Sequence, residues 1–150
     1  MGVPGNLADL PLKLGVSAVI IDGQGRVLLQ RRADNGLWAL PGGAVDPNES
    51  VSEAVHREVL EETGLEIRVE RLVGVYTDPR VCIARGADGR WFRFIAFSFL
   101  ARPTGGSLRL SSESTDLAYF SPQHLPPDLF PLHRIRIEDA LADREAAFVR

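Results

Sequence analysis

Apolar residues alternate or cluster in short runs through most of the chain, separated by glycine-, proline- and aspartate-rich breaks. LGVSAVIID (14–22) is rich in β-branched residues and ends at the turn signal DGQG (22–25). RVLLQRR (26–32) then resumes an extended pattern, and the two runs predict a hairpin. LWALPGG (37–43) predicts a short strand ending where Gly42 and Gly43 let the backbone turn sharply or come close to a bound group. The period changes at residue 51. Ser50-Val51-Ser52-Glu53 has the spacing of a capping box with Ser50 as N-cap, and Gly64 suits the left-handed residue that ends a helix, so a helix is predicted over 51–63. LEIRVERLVGVY (65–76), WFRFIAFSFLAR (91–102) and LAYF (117–120) read as strands, and HRIRIEDALADREAAFV (133–149) as an amphipathic helix. Strands and helices interleave without a regular βαβ period, which favours an α/β fold with a mixed sheet flanked by helices over a doubly wound parallel sheet.

The helix at 51–63 carries an anomaly. At about 100° per residue from Val51, Val55 and Val59 fall near 40° and 80°, and Glu58 and Glu62 fall near −20° and +20°. Two glutamates therefore share the apolar stripe, and Glu61 lies at its edge near −80°. A solvated acidic face explains Glu53 and fails for Glu58 and Glu62. Burying ionised carboxylates without a partner costs several kcal/mol each, and three carboxylates within an arc of about 100° also raise one another's pKa. A hard divalent cation removes both difficulties, because Mg²⁺ takes oxygen ligands and keeps positions for water and phosphate.

Length and charge narrow the partners. The 150 residues fit a single domain spanning 1–150, and a net charge of −3 gives no pull toward nucleic acid or anionic membrane. No stretch approaches the roughly 18 apolar residues of a membrane span. The N-terminal MGVPGNLADLPLK lacks the order of a signal peptide, so a cytoplasmic location is expected. The single cysteine, Cys82, reads as a small buried apolar side chain. His56, His124 and His133 have no metal-ligand spacing, and there is no Walker-type glycine loop. Arg31 and Arg32 form a basic pair able to bind phosphate or simply to face solvent, and Trp38, Tyr76, Trp91, Phe92 and Phe94 either stack on a base or pack the core.

Residues 43–65, GAVDPNESVSEAVHREVLEETGL, resemble the Nudix box: Gly, five residues, Glu, seven residues, then Arg-Glu-apolar-x-Glu-Glu-x-Gly-apolar. Gly43, Glu49, Arg57, Glu58, Val59, Glu61, Glu62, Gly64 and Leu65 occupy its fixed positions. The likeness is clearest over residues 14–127. It implies a Nudix-type α/β/α sandwich with a mixed central sheet, and Mg²⁺-dependent hydrolysis, with Mn²⁺ as a substitute, of a nucleoside diphosphate linked to another moiety. By the same resemblance Glu58, Glu61 and Glu62 hold metal together with the carbonyl of Gly42. Glu58 is the leading candidate to orient or deprotonate the attacking water. Glu49 and Arg57 are expected to pair as a structural brace. A further acid outside the box is sought in SSESTDLAYF, where Glu113 leads and Asp116 competes. Arg31, Arg32, Trp38 and Gly43 are the candidates for substrate contact. The expected partner is a small nucleotide, with no nucleic acid and no membrane; a homodimer stays open. Nucleoside triphosphates, as for MutT-type members, ADP-ribose, hinted at by Pro79, and nucleotide sugars all fit. The alternative is a Nudix-fold module that senses a nucleotide without hydrolysing it. Such modules typically lack one of the acids, and this box is whole. Isopentenyl diphosphate isomerase chemistry would need a catalytic cysteine that Cys82 does not supply.

Overall fold

A computed structural model describes residues 4–150. After a 3-10 turn at Leu7–Asp9, strands β1 (Leu12–Ile20), β2 (Val27–Arg32), β3 (Trp38–Ala39) and β4 (Gly42–Ala44) precede helix α1 (Val51–Thr63). Strands β5 (Leu65–Tyr76), β6 (Ile83–Arg85), β7 (Trp91–Gly106) and β8 (Ser114–Phe120) follow. Helix α2 (Pro131–Leu141) and the short strand β9 (Phe148–Val149) close the chain. The larger sheet has the order β4-β1-β7-β5-β9, with β6 paired to β7, and the smaller one has the order β3-β2-β8. Both sheet directions occur: β1 runs parallel to β7, and β5 antiparallel to it.

The period-2 pattern of β1 explains the layering. Val16, Ala18 and Ile20 point to one face and join Ala54, Val55 and Val59 of α1 in one core. Val19 and Ile21 point to the other face and join Ile137 and Ala140 of α2 in a second core. A strand apolar on both faces belongs in the middle of a sandwich. The mixed sheet between helices is the architecture expected from the sequence, and no helix among the described residues is long and apolar enough to cross a membrane.

Helix α1 has the predicted bounds and caps. Ser50 Oγ accepts from the Glu53 N–H at 3.1 Å, Glu53 Oε1 accepts from the Ser50 N–H at 3.1 Å, and Gly64 takes φ 79°. Four local expectations are corrected. Runs 14–22 and 26–32 do not form an extended hairpin; beyond the single bridge Ile21–Val27, β2 leaves for the smaller sheet. The edge of β1 that it would need is already taken by residues 41–44, through Ala18 N–H to Pro41 O at 3.0 Å and the β4 register. For the same reason the expected strand 37–43 divides between the two sheets, β3 before Pro41 and β4 after it. The C-terminal helix starts earlier and stops at Leu141. Arg150 turns back to ion-pair with buried Asp139 at 2.9 Å, and β9 adds itself to β5. Strands 91–102 and 117–120 are longer than predicted, reaching Gly106 and starting at Ser114.

Candidate active site

The helical register puts the acids where their angles required. Glu62 is 4% exposed, against the core face of α1. The side chain of Glu58 is 15% exposed and that of Glu61 is 59% exposed, so the three grade from core to solvent. Glu62 is held from both sides: the Gly42 N–H donates to Oε1 at 3.0 Å, and the side-chain amide of Gln30 donates to Oε2. Gln30 in turn accepts from Ser114 Oγ at 2.6 Å, tying β8 through β2 to the helix. These donors are neutral. Burial, reinforced by the neighbouring Glu58 carboxylate and only partly offset by Gln30 and Gly42, pushes the Glu62 carboxyl up to about 8.

Gly43 is required by Glu58. A Cβ at residue 43 would lie 2.5 Å from the Glu58 carboxylate carbon, so the absence of a side chain lets the acid rest on the β4 backbone. Arg57 organises the other side. Its Nε donates to Glu49 Oε2 at 2.9 Å and its Nη2 to the Ala44 carbonyl at 3.1 Å, forming the brace between the box loop and the helix. The guanidinium holds the Glu49 carboxyl down at about 2, helped by the Asp46 N–H. The same arginine reaches further than the sequence suggested, donating from Nη1 to Glu58 Oε1 at 3.0 Å and to Glu61 Oε2 at 3.2 Å.

Glu58, Glu61 and Glu62 line one cavity of 410 Å³ together with Gly42, Gly43 and Glu113. Among the described residues no three acid, histidine or cysteine side chains are drawn together as a closed metal cage, since Glu58 and Glu61 are turned toward Arg57. The donor set nevertheless suits a hard divalent cation: three carboxylates border the same cavity, and the buried one has only neutral donors to offset its charge. The cavity opens into a larger cleft of 890 Å³ bordered by Arg32, Phe92, Phe94, His133 and Arg136.

The remaining candidates separate. Arg32 borders both spaces, with its guanidinium on Asp34 at 2.6 Å. Glu113 borders both, while Asp116, an exposed residue of β8, borders neither. Arg31 and Trp38, expected at the substrate, line neither space. Arg31 donates to the Gly36 carbonyl at 3.0 Å and to Asp128 at 3.3 Å, and Trp38 packs edge-on against Phe120 at 4.9 Å. Trp38 is thus packed against the smaller sheet, and Arg31 is engaged at its exposed end. Three residues of the site lie outside the sequence-based candidates: Gln30, His133 and Arg136. Gln30 stands between Leu29 and Arg31, where the run turns from apolar to charged, so the sequence does not say that it faces inward; Arg136 carries no signal either, because the period of α2 does not say which charged residue faces inward.

A sequence model of the NUDIX domain matches residues 11–141. A "MutT-like protein" from Streptomyces ambofaciens is 37% identical over 142 residues, covering 94% of this chain and 85% of its own. An "ADP-ribose pyrophosphatase" from Methanocaldococcus jannaschii is 36% identical over 119 residues, covering 77% of this chain and 66% of its own. The crystal structure of an ADP-ribose pyrophosphatase from Streptococcus suis superposes with a TM-score of 0.72 at 28% identity, covering 92% of this chain and 98% of that one. With the complete box on α1, the matched span and these likenesses, the chain belongs to the NUDIX domain family and is a hydrolase of phosphoric anhydride bonds.

Proposed function

We propose that the chain is a Mg²⁺-dependent pyrophosphatase that splits the diphosphate of a nucleoside diphosphate linked to another moiety. The observation that supports this most is the continuity of two spaces: a cavity walled by Glu58, Glu61 and Glu62 opens directly into an aromatic-sided cleft wide enough for a nucleoside. The names of the relatives are consistent with nucleotide substrates.

Glu58, Glu61 and Glu62, with the carbonyl of Gly42, would hold the metal. When bound, a divalent cation neutralises phosphate oxygens and makes bound water easier to deprotonate. The chain's own residues supply the rest. Gln30 and Gly42 fix the Glu62 carboxylate so that both oxygens have set directions. The unsubstituted Gly43 makes room for the Glu58 carboxylate against the β4 backbone, at the wall of the cavity. Glu58, partly buried and paired with Arg57, would orient or deprotonate the attacking water, and Glu113, which lines the same cavity, is the second acid for that role. Arg32, at the junction of cavity and cleft, can meet phosphate by exchanging its exposed contact with Asp34. Attack of water on phosphorus chiefly needs positioning and charge compensation, which this arrangement supplies without a covalent nucleophile.

The test is a panel of nucleoside triphosphates, ADP-ribose and nucleotide sugars with and without Mg²⁺, the products weighed by mass spectrometry in ¹⁸O water. Label on one phosphate product is expected. Hydrolysis of none of them, or label on a sugar carbon, overturns the reading.

A further inference from the structure

We propose that Arg136 is a specificity-determining residue of the cleft, donating from its guanidinium to the 6-carbonyl of a purine and so favouring guanine and hypoxanthine nucleotides over adenine ones. The proposal rests on the pyrophosphatase reading above and narrows its substrate class.

Arg136 is only 5% exposed and borders the cleft, yet no carboxylate lies within ion-pair distance of it among the described residues. Among the described residues its one side-chain hydrogen bond runs from Nη1 to Ser17 Oγ at 3.3 Å, and its buried Nε has no partner. Ser17 passes its own proton to Ser98 Oγ at 3.1 Å, so it offers the arginine an acceptor and presents no other function. The nearby acid on the same helix, Asp139, is satisfied from the far side by Arg150 at 2.9 Å and by the Tyr76 hydroxyl at 2.9 Å. The guanidinium carbon lies over the Tyr76 ring, 5.1 Å from its centre. A charged group left this way in a low-dielectric setting is costly unless an acceptor joins it, and the cleft it borders is where one can enter. His133 adds to the donor character of the wall. Its Nδ1 accepts from the Leu40 N–H at 2.8 Å, so the proton of the neutral ring sits on Nε2.

The surroundings say what kind of acceptor fits. Phe92 and Phe94 border the same cleft with ring centres 6.4 Å apart, beside Leu40, Ala96 and Leu132. Lys13, Arg32 and Arg85 also border the cleft, Lys13 Nζ lying 4.3 Å from the Phe92 ring centre, and a flat heterocycle with a carbonyl edge satisfies both the aromatic walls and the Arg136 guanidinium. Adenine turns an amino group, a donor, toward donors at the position where guanine and hypoxanthine carry oxygen.

The experiment compares kcat/KM for dGTP, dITP, dATP and 2-aminopurine deoxyriboside triphosphate, the last lacking oxygen at position 6. Wild-type enzyme should handle dGTP and dITP alike, and both about tenfold or more better than dATP and the 2-aminopurine nucleotide. Arg136→Met, which keeps the apolar stem, should erase this ranking by lowering kcat/KM for dGTP and dITP about tenfold or more relative to dATP. Wild-type preference for dATP, equal rates for all four, or uniform loss in Arg136→Met would overturn the proposal. Should Arg136→Met not fold, the wild-type ranking of dGTP against the 2-aminopurine nucleotide decides alone. If wild type hydrolyses none of these triphosphates, the catalytic reading for them falls separately, and calorimetry with dGMP and dAMP still decides the base preference. Tighter dGMP supports Arg136 as its reader, and equal affinity overturns it.

Discussion

Glu62 lies on the apolar stripe of α1, buried with Glu58 beside it, and only neutral groups donate to its carboxylate. Glu62→Gln keeps the shape and removes the charge, so it should lower kcat by at least about a hundredfold with the circular dichroism spectrum unchanged. Near-normal turnover at saturating Mg²⁺ would remove Glu62 from the metal site. The burial of this acid is legible in the sequence, because helical angle alone places it among the valines. Trp38 and Arg31 are less legible, because either an open cleft or a packed sheet accepts an aromatic and a cation at a strand end. In the structure both have partners away from the cleft, Phe120 on Trp38 and Asp128 on Arg31. Trp38→Ala is therefore expected to cost about 2 kcal/mol of unfolding free energy, the half-buried share of a large-to-small change, and to lower kcat/KM by the same factor whatever base the substrate carries. A base-dependent loss would return Trp38 to the substrate.

At the scale of elements, what lies within one segment is readable and what depends on competition between segments is not. Helix α1 carries its own caps in its sequence, whereas the fate of β2 depends on residues 41–44 occupying the edge of β1. The two glycines of β4 turn this difference into a test. A Cβ at Gly42 would meet rigid backbone, the Val16 carbonyl oxygen and Ser17 Cα, the latter at 2.8 Å. A Cβ at Gly43 would meet only the movable end of Glu58. Gly42→Ala should thus lower Tm by several degrees, equivalent to about 1–3 kcal/mol. Gly43→Ala should leave Tm nearly unchanged while cutting kcat, because the carboxylate it displaces belongs to the site. The reverse pattern in thermal scans and rates would show that Glu58 does not rest on Gly43. Ser50→Ala, which removes the α1 N-cap, should cost about 1 kcal/mol by denaturant titration.

Across the whole molecule, the buried acid of the site sets how stability follows pH. Folding raises the Glu62 carboxyl from an ordinary 4.5 to about 8, chiefly by burial, so between those values the folded state holds a proton that the unfolded chain has released. That contribution is fully present below about 4.5 and is lost as pH climbs toward 8. His133 works in the opposite sense. Burial and the charge of Arg136 hold its ring well below 6.5, so the unfolded chain takes up the extra proton and stability rises with pH until about 6.5. The two slopes oppose each other in mildly acidic solution, and above 6.5 only that of Glu62 remains. Metal-free protein should therefore lose stability between pH 6.5 and 8, by at most about 1.4 kcal/mol per unit for one proton. Glu62→Gln should flatten this limb, since the amide does not titrate. Mg²⁺ should also oppose the fall, because a cation binds the carboxylate that rising pH creates, and the shift in Tm on adding Mg²⁺ should grow from pH 6.5 to 8. Denaturant titrations of wild type and Glu62→Gln at these pH values, each with chelator and with Mg²⁺, check all three expectations. A wild-type decline that persists unchanged in Glu62→Gln would place the titrating group elsewhere in the molecule.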